Sequence, residues 1–162
     1  LARAEGGQLR LDHAADIRPV ARIVTEDLAR STGGWRIALT LPDVPVMSDL
    51  DPDAFAILFR NLVENALRHG ARDAPVKVTL GADGQLVVAN DGPVVPPETL
   101  NRLTNRFERA EGQGDGSGLG LAIVAAIAAR TGSRLELISP PRGQTTGFAA
   151  HFLMPVTPAP PC

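Results

Sequence analysis

The sequence predicts an α/β (α+β) two-layer sandwich, in which one mixed, mostly antiparallel sheet has helices packed on one face. Three observations lead to this class. Segments with the helical spacing of apolar residues are interleaved with segments that alternate as strands do. Turn sequences such as Asp83-Gly84 join neighbouring strands as hairpins, which a regular βαβ alternation would not contain. The chain has 162 residues, of which 44% are hydrophobic, enough to bury the core of one ordinary domain.

Composition argues against several classes of protein. The net charge of −2 disfavours a strongly basic nucleic-acid binder, and the 4% aromatic content argues against a base-stacking platform. No apolar run reaches the roughly 18 residues that a membrane-spanning helix needs, so no membrane contact is expected. The single cysteine, Cys162, allows no internal disulfide, and the histidines are too far apart for metal-ligand spacing. Because the chain begins with Leu1, we expect it to be part of a longer protein.

The first third of the chain predicts a helix followed by two strands. Residues 1–11 are interpreted as the frayed end of an earlier helix, broken at two glycines. Asp16 is expected to cap a helix that ends near Gly33, with helically spaced apolar residues at Ile17, Val20, Ile23, Val24 and Leu28. Trp35–Leu41 alternates as a strand, and Val46-Met47 is expected to form a second, short strand.

The middle of the chain predicts a long helix and a hairpin. Asp51-Pro52 is a typical helix start, and the helix is expected to reach His69, with Gly70 as its C-cap. A strand over Val76–Leu80 precedes the apolar run Leu86-Val87-Val88, which we expect to be a strand buried on both faces. The tight turn between them makes these two strands antiparallel neighbours.

The last third predicts a glycine-rich loop, a helix and a closing hairpin. The Gly/Pro-rich stretch covers residues 90–118, with a short helix near Pro97–Leu103. A helix over Leu119–Arg130 precedes two strands, Arg134–Ile138 and Gly147–Met154. The predicted organisation is a helix end or linker at 1–9, one domain at 10–155 and a Pro-rich tail at 156–162.

The long central helix has a polar arc besides its apolar face. At about 100° per residue, Asn61, Asn65 and Arg68 fall within about 60° of one another. They lie away from the apolar face, which is formed by Phe55, Phe59, Leu62, Val63 and Ala66. An amide oxygen is a hard neutral ligand that suits Mg²⁺, and a guanidinium one turn on can meet phosphate charge. A solvated polar face is the structural alternative, which the arc alone does not exclude.

A glycine-rich run, GQGDGSGLGL, leads from Gly112 into the helix that is predicted from Leu119. Glycines let backbone N–H groups approach an anion closely, and a helix N-terminus adds positive potential. The run therefore suits a polyphosphate, although it lacks the Gly-Lys-Ser/Thr of a Walker loop. A flexible linker before a helix would have the same composition.

Two further segments contain polar groups near this loop. Asn90-Asp91-Gly92 ends a predicted buried strand, where a side-chain amide or carboxylate could accept a hydrogen bond from an exocyclic amine such as that of adenine. In the long loop, the ring of Phe107 could hold a lid over a ligand, and Arg106 or Arg109 could reach a terminal phosphate. A strand-ending turn and an exposed charged turn are the structural alternatives.

In their order and spacing, these four segments resemble the N, G1, F and G2 boxes of the sensor histidine kinases. NLVENALRHG resembles the N box and GSGLGLAIV closely matches the G2 box, and the resemblance extends over about residues 8–154. That family belongs to the superfamily of gyrases, heat-shock chaperones, histidine kinases and mismatch-repair proteins (GHKL). Its ATP-binding unit is the Bergerat fold, which is an α/β sandwich like the one predicted here.

The resemblance implies an ATP site that uses Mg²⁺. Asn61, Asn65 and Arg68 would form the catalytic set, in which Asn65 ligates Mg²⁺ and Asn61 is a second candidate ligand. Residues 93–117 would form a lid over the nucleotide. The implied ATP-binding residues are Asn65, Arg68, His69, Asn90, Asp91, Gly92, Arg106, Phe107, Arg109, Gly116, Ser117, Gly118, Leu119 and Gly120.

The sequence departs from the family pattern in two of the boxes. The G1 box usually has an aspartate that takes the adenine amine, and Asn90 stands at that place, with Val94 where a second glycine is usual. An amide can still accept the same hydrogen bond. The F box usually has two phenylalanines, and Thr104 stands at the first of these positions. We expect these changes to affect the lid more than ATP binding.

The implied function is that of the catalytic domain of a two-component sensor histidine kinase, which passes the γ-phosphate of ATP to a histidine on a dimerisation domain. No acceptor is expected in this chain, because His13, His69 and His151 lack the helical context with an acidic neighbour. The chain alone is therefore not expected to phosphorylate itself. The implied partners are the dimerisation domain of the same protein and a response-regulator receiver domain. The domain is expected on the cytoplasmic face, in a parent anchored in the inner membrane.

Two other functions stay open at this point. A nucleotide-binding pseudokinase would act only through partners, and the departures at Asn90 and Thr104 are compatible with it. An ATPase or serine-kinase switch of the same superfamily is the other alternative. The ATPases need a carboxylate one turn before the metal-binding asparagine to activate water, and the amide of Asn61 cannot act as a base.

Overall fold

The computed structural model describes residues 9–103 and 117–156, and helices and strands alternate along them. Within those ranges, no helix has the length and the apolar character needed to span a bilayer. A 3₁₀ turn, Gly34–Arg36, precedes the second strand. In chain order the elements are β1 (Arg10–Asp16), α1 (Arg18–Thr32), β2 (Ile37–Thr40), β3 (Met47–Leu50), α2 (Pro52–His69), β4 (Val76–Leu80), β5 (Gln85–Asn90), α3 (Pro97–Leu103), α4 (Ser117–Thr131), β6 (Arg134–Ile138) and β7 (Phe148–Leu153).

A mixed sheet forms one layer, with the strand order β2-β4-β5-β7-β6. Strands β2 and β4 run parallel, whereas the β4–β5, β5–β7 and β7–β6 pairs are antiparallel. Strands β1 and β3 pair with each other in a separate two-stranded antiparallel sheet. The predicted mixed, mostly antiparallel sheet is therefore confirmed.

Helices α1, α2 and α4 pack against the mixed sheet and form the second layer. Along β4 and β5, buried and more exposed residues alternate, so only one face of the sheet lies in the core. Leu86 and Val88 are buried, whereas Val87 between them is partly exposed. The prediction that this strand is buried on both faces is therefore wrong, because the outer face of the sheet has no helix layer over it in the described chain.

Helix α2 lies at the centre of the core. Its predicted apolar face is buried, and it comprises Phe55, Phe59, Leu62, Val63 and Ala66. The rings of Phe55 and Phe59 form a tilted pair, with 5.7 Å between their centroids. Both α1 and α4 pack against this helix. Because a close-packed core leaves little room for rotation, the packing also sets the direction of the polar residues of α2.

The start of the chain differs from the prediction. Residues 10 and 11, expected in a helix end, belong to strand β1, which pairs with β3. The pairing partner comes much later in the sequence, so local spacing does not reveal the strand. Strand β2 begins at Ile37, later than predicted, because Gly34–Arg36 form the 3₁₀ turn. The rest of the predicted helix end lies largely outside the described residues.

Asp16 does not act as the predicted N-cap. The cap residue of α1 is Ile17, which makes no side-chain capping bond. The Asp16 carboxylate accepts hydrogen bonds from the N–H of Val46 at 3.1 Å and of Arg18 at 3.2 Å, and it pairs with the Arg18 guanidinium at 2.9 Å. Burial raises the pKa of the Asp16 carboxyl group, but the hydrogen bonds from Arg18 and Val46 lower this pKa further, below its ordinary value.

We expect Asp16→Ala to lower the free energy of unfolding by about 1–2 kcal/mol at pH 7, because the Val46 and Arg18 amides lose their acceptor. A carboxyl group with a lowered folded-state pKa stabilises the fold above its unfolded pKa, about 3.9. That contribution is lost as the pH falls through the folded pKa. The difference between wild type and variant should therefore shrink below about pH 4, which urea unfolding at several pH values measures.

Asp12→Ala is the control, because the Asp12 side chain is 100% exposed. We expect it to change the free energy of unfolding by less than about 0.5 kcal/mol. An Asp16→Ala variant that is as stable as the wild type at pH 7, or a difference that grows as the pH falls, would contradict the role assigned to Asp16.

Candidate functional site

A cavity of about 340 Å³ opens where strand β5 ends. Its walls come from the C-terminal half of α2, the end of β5, the segment 93–96 and helix α3. The lining residues are Asn65, His69, Asn90, Pro93, Val94, Val95, Pro96, Thr99, Leu103 and Phe148. An apolar lining with a few convergent polar groups is typical of a site for a small organic molecule.

The side-chain amide of Asn90 provides a buried polar group at the wall of this cavity. The residue is 7% exposed. Its Nδ2 group donates to the carbonyl oxygen of Asp91 at 3.0 Å. Its Oδ1 atom is buried and has no hydrogen-bond partner among the residues that the structure describes. A buried acceptor without a partner costs about 1–3 kcal/mol, so this atom suits a donor from a ligand, as the exocyclic amine of adenine would supply.

The turn after Asn90 is held by backbone hydrogen bonds from two neighbouring segments. The N–H of Ala71 donates to the carbonyl oxygen of Asp91, and the N–H of Gly147 donates to that of Gly92, both at 2.8 Å. The Asp91 side chain is exposed. Of the predicted Asn90-Asp91-Gly92 motif, Asn90 therefore lines the cavity, while the backbone of the other two residues anchors the turn.

A buried arginine holds the end of α2 and the loop that follows it. Arg36, which the sequence analysis did not identify, is 9% exposed. Its guanidinium donates to the carbonyl oxygens of Leu67 at 3.3 Å and Arg72 at 3.0 Å. A cation at a helix C-terminus meets carbonyl groups that lack helical partners. Arg36 thus ties the 3₁₀ turn to the helix that supplies Asn65 and His69.

The polar residues of α2 have different surroundings. Asn65, half-buried, and His69, exposed, both line the cavity. Arg68 is exposed and does not belong to the lining. Asn61 lies one turn before Asn65 and outside the lining, where its Nδ2 group donates to the carbonyl oxygen of Ile57 at 2.8 Å.

Asn61 marks the contact between α2 and the start of α4. A Cβ atom added to Gly120 would come within 3.0 Å of Asn61 Oδ1, so the two helices are close at this point. Helix α4 begins at Ser117, two residues earlier than predicted, so Ser117, Gly118 and Leu119 form its first turn. The predicted N-box and glycine-rich segments are therefore neighbours in the fold. The predicted Arg106, Phe107, Arg109 and Gly116 lie outside the described residues.

Several lining residues were not identified in advance. Val95, Pro96, Thr99 and Leu103 fall in the stretch that was assigned to a lid without individual roles. Phe148 was assigned only to a strand, although it pairs directly with Asn90 across β5 and β7. Its position follows from strand register, which a single sequence does not give when the paired strands are far apart.

The donor set around the cavity fits a magnesium ion that is held mainly by a ligand. Among the described residues, no group of three or more His, Cys, Asp or Glu side chains is placed to hold a metal ion. Asn65 offers one amide at the cavity wall. Mg²⁺ takes one or two protein oxygens and completes its octahedral shell with water and phosphate oxygens. A metal that arrives with a phosphorylated ligand suits this arrangement, whereas a structural metal site does not.

Comparison with known proteins identifies the class of this fold and site. Residues 50–158 match the sequence model of the family described as histidine kinase-, DNA gyrase B-, and HSP90-like ATPase. The chain belongs to this ATPase family.

Within that family, its relatives include sensor kinases. The chain is 37% identical over 152 residues to the sensor protein QseC of Escherichia coli strain K12, covering 87% of this chain and 33% of that protein. It thus spans a third of that relative's length. In structure it is similar to the mycobacterial sensor histidine kinase MprB (TM-score 0.75, 27% identity, 91% of this chain and 99% of that one). It is also similar to full-length ShkA in complex with AMPPNP, with a TM-score of 0.70 and 25% identity. This match covers 93% of this chain and 32% of the ShkA chain.

We expect Gly70→Ala to lower the free energy of unfolding by about 1–3 kcal/mol. A Cβ atom at Gly70 would come within 2.6 Å of the carbonyl oxygen of Ala66 and 2.8 Å of Asn90 Cβ. Because the first neighbour is backbone, either the end of α2 or the turn at Asn90 must shift. Urea unfolding with an unchanged m-value measures the loss.

Gly34→Ala is the matched control, because a Cβ atom at Gly34 meets no atom within 4 Å. We expect this variant to stay within about 0.5 kcal/mol of the wild type. Equal stability of Gly70→Ala and Gly34→Ala would show that α2 and β5 are not held in close contact at this point.

Proposed function

We propose that this chain is the ATP-binding catalytic domain of a sensor histidine kinase. In this proposal it holds Mg²⁺ and ATP so that the γ-phosphoryl group passes to a histidine on a separate dimerisation domain. The observation that carries the proposal is the buried Oδ1 atom of Asn90, which lacks a partner in the described chain and belongs to a residue that lines an apolar cavity. Similarity to QseC and MprB supports the same assignment.

In this proposal the Asn90 amide recognises the base. The 6-amino group of adenine donates to Oδ1, while the bond from Nδ2 to the Asp91 carbonyl holds the amide in this orientation. Guanine has an oxygen in place of the 6-amino group, so this oxygen and Oδ1 of Asn90, both acceptors, would face each other. A rotated amide would relieve this only by losing the bond to Asp91. Val95 and Phe148 supply apolar contacts for the ring. The complex of the similar protein ShkA with AMPPNP supports a nucleotide at this site.

Asn65 is the proposed protein ligand of Mg²⁺, with Asn61 one turn away as a second candidate. Mg²⁺, when bound, neutralises charge on the phosphate oxygens. The position of Asn65 on the cavity wall supports this role, because the same cavity contains Asn90. The amide contributes one neutral oxygen, which leaves room in the shell for the phosphates and water.

The proposed triphosphate site combines basic side chains with a helix N-terminus. Arg68 and His69 end helix α2, and His69 lines the cavity. The backbone amides of Gly116, Ser117, Gly118, Leu119 and Gly120 are the proposed anion cradle at the start of α4. The contact between Gly120 and Asn61 supports it, because it brings that start beside the polar arc of α2. Arg106, Phe107 and Arg109 are proposed to act in the lid.

The proposed reaction forms a bond between an imidazole nitrogen of the acceptor histidine and the γ-phosphorus. The bond that breaks joins the γ-phosphorus to the oxygen that leaves with ADP, and the imidazole proton passes to a base beside the acceptor. This chain contributes positioning and charge neutralisation. Neither His13 on β1 nor His151 on β7 lies on a helix, which supports an acceptor in another domain.

The remaining parts of the proposal concern the longer protein. We propose that residues 10–155 form the catalytic domain, preceded by the end of a dimerisation helix and followed by a Pro-rich tail. Its partners are the dimerisation domain of the same protein and a response-regulator receiver domain. The parent is anchored in the inner membrane with this domain on the cytoplasmic face. Coverage of only 33% of QseC supports a parent with further domains.

A second candidate is a nucleotide-binding pseudokinase, or an ATPase or serine-kinase switch of the same superfamily. It is favoured by Asn90 and Thr104, which stand where the kinases usually have an aspartate and a phenylalanine. Nucleotide binding without phosphoryl transfer would support it.

Calorimetric titration with ATP tests the binding site. We expect saturable binding by the wild type that weakens when EDTA removes Mg²⁺. Asn65→Ala should weaken binding in Mg²⁺ and make it insensitive to EDTA, because the proposed role of Asn65 is at the metal. Asn90→Ala should weaken binding about tenfold with or without Mg²⁺, because the base loses its acceptor.

Gln85→Ala is the matched control, because it removes an amide from β5 at the end remote from the cavity. We expect its ATP affinity to equal that of the wild type. No binding by the wild type at millimolar ATP would contradict the proposed function, and a full response of Asn65→Ala to Mg²⁺ would exclude Asn65 as the metal ligand.

Phosphoryl transfer is tested by adding the dimerisation domain of the parent protein in trans with γ-labelled ATP. We expect acid-labile label on the added domain and none on this chain. Asn65→Ala should slow labelling at least tenfold, because the phosphate charge is no longer neutralised in place. A dimerisation domain whose acceptor histidine is replaced by glutamine is the control, and label on this chain itself would contradict the assignment of the acceptor.

A further inference from the structure

Ser139 lies outside the lining of the cavity, yet its hydroxyl group holds one of the cavity walls. Oγ accepts a hydrogen bond from the N–H of Val95 at 2.8 Å and donates one to the carbonyl oxygen of Gly147 at 2.5 Å. Val95 belongs to the lining, whereas Gly147 directly precedes strand β7. One hydroxyl group therefore connects the wall to the β6–β7 hairpin of the sheet.

The wall segment 93–96 is attached to this hairpin at both ends. At its start, the N–H of Gly147 donates to the carbonyl oxygen of Gly92 at 2.8 Å. Toward its end, Val95 is bound to Ser139. Two of the four residues of the segment are prolines, which have no N–H group to donate. Only the N–H groups of Val94 and Val95 are therefore available as donors from the wall, and the Pro96 carbonyl oxygen accepts from the N–H of Leu100 at 3.0 Å.

The same hairpin also contacts the residue that is proposed to recognise the base. A Cβ atom added to Gly147 would come within 2.9 Å of the carbonyl oxygen of Asn90. The hairpin thus sets the position of Asn90 on one side and of Val95 on the other. Dispersion contacts weaken steeply when a gap of 0.5–1 Å opens, so the attachment of the wall determines how well a flat ring fits beside Asn90.

We propose that Ser139 is a positioning residue for nucleobase binding, which sets the apolar wall at Val95 relative to the acceptor of Asn90. The proposal rests on the proposed function, because it assumes an adenine nucleotide in this cavity. Ser139 touches neither the base nor the phosphates. It acts by fixing the backbone of the wall before the ligand arrives, which reduces the ordering that binding requires.

In this proposal the hydroxyl group of Ser139, and not the volume of its side chain, determines the affinity for the nucleotide. Ser139→Ala removes one acceptor and one donor, which leaves the Val95 amide and the Gly147 carbonyl without this partner. We expect its Kd for ATP to rise about fivefold to tenfold, as loss of one net hydrogen bond would produce. Ser139→Thr keeps the hydroxyl group, so its affinity should return to within about twofold of the wild type.

Ser48 provides a matched control in another part of the fold. Its buried Oγ also accepts a backbone N–H, from Leu50 at 3.1 Å, and donates to a carbonyl oxygen, that of Pro155 at 2.9 Å. It thereby joins β3 to the end of the chain's described part, away from the cavity lining. Ser48→Ala should lower the thermal midpoint as much as Ser139→Ala does, while its ATP affinity and base preference stay unchanged.

The experiment measures the Kd for ATP and for GTP by calorimetry in the wild type, Ser139→Ala, Ser139→Thr and Ser48→Ala. Amide hydrogen exchange at Val95 is followed in the nucleotide-free proteins. We expect Ser139→Ala alone to show faster exchange at Val95, weaker ATP binding and a smaller preference for ATP over GTP. A loss of stability without a role in positioning would not change the base preference.

Two results would overturn the proposal in distinguishable ways. If the wild type and Ser139→Ala bind ATP with equal affinity and equal base preference, Ser139 has no positioning role, and the proposed function stands. If the wild type binds neither nucleotide, the proposed function fails and this inference fails with it.

Discussion

The close packing around the buried end of strand β5 constrains the shape of the cavity. Asn90 is 7% exposed. Added Cβ atoms would come within 2.8 Å of its own Cβ atom from Gly70 and within 2.9 Å of its carbonyl oxygen from Gly147. These close approaches bring the end of α2 and the β6–β7 hairpin against one residue. Segments that are far apart in the sequence therefore pack together around Asn90 and form the rim of the cavity. In a close-packed structure none of these segments moves without displacing the others.

The rigidity of this rim comes from the core beneath it. Helix α2 buries its apolar face in full, so Asn65 and His69 reach the cavity as a consequence of core packing and not of contacts between themselves. Arg36 secures the end of the same helix through carbonyl groups. The Oδ1 atom of Asn90, which has no partner among the described residues, costs on the order of 1–3 kcal/mol. The core offsets this cost in the free protein, and in the proposed ATP complex a donor from the base would remove it.

The sequence predicted those parts whose signals are local. Helical spacing with Asp51-Pro52 at its start predicted the bounds of α2, and alternation of apolar and polar residues predicted β4. Strand β1 was missed because its stability depends on a partner that comes after α1. At the site, the resemblance to the histidine kinases predicts Asn65 and Asn90 as ATP-binding residues, and both line the cavity, whereas the place of Phe148 depends on strand register. Arg36 and Ser139 were not identified either, since each acts on backbone groups of residues remote in sequence, which side-chain chemistry in one chain does not disclose.

The asparagine at position 90 is consistent with this constrained environment. In a buried position a neutral amide avoids the desolvation cost of a carboxylate. It also has two different ends: Nδ2 donates to the carbonyl oxygen of Asp91, whereas Oδ1 has no partner in the described chain and is the proposed acceptor for the base. A carboxylate in the same place would set an oxygen against the Asp91 carbonyl and would lose the bond that orients the group. Compared with the aspartate that is usual in the family, Asn90 therefore lacks a charge but has a side chain whose orientation is fixed by a hydrogen bond. The wall beside Asn90 is held in a similar way, since the hydroxyl group of Ser139 accepts from the N–H of Val95 and donates to the carbonyl oxygen of Gly147.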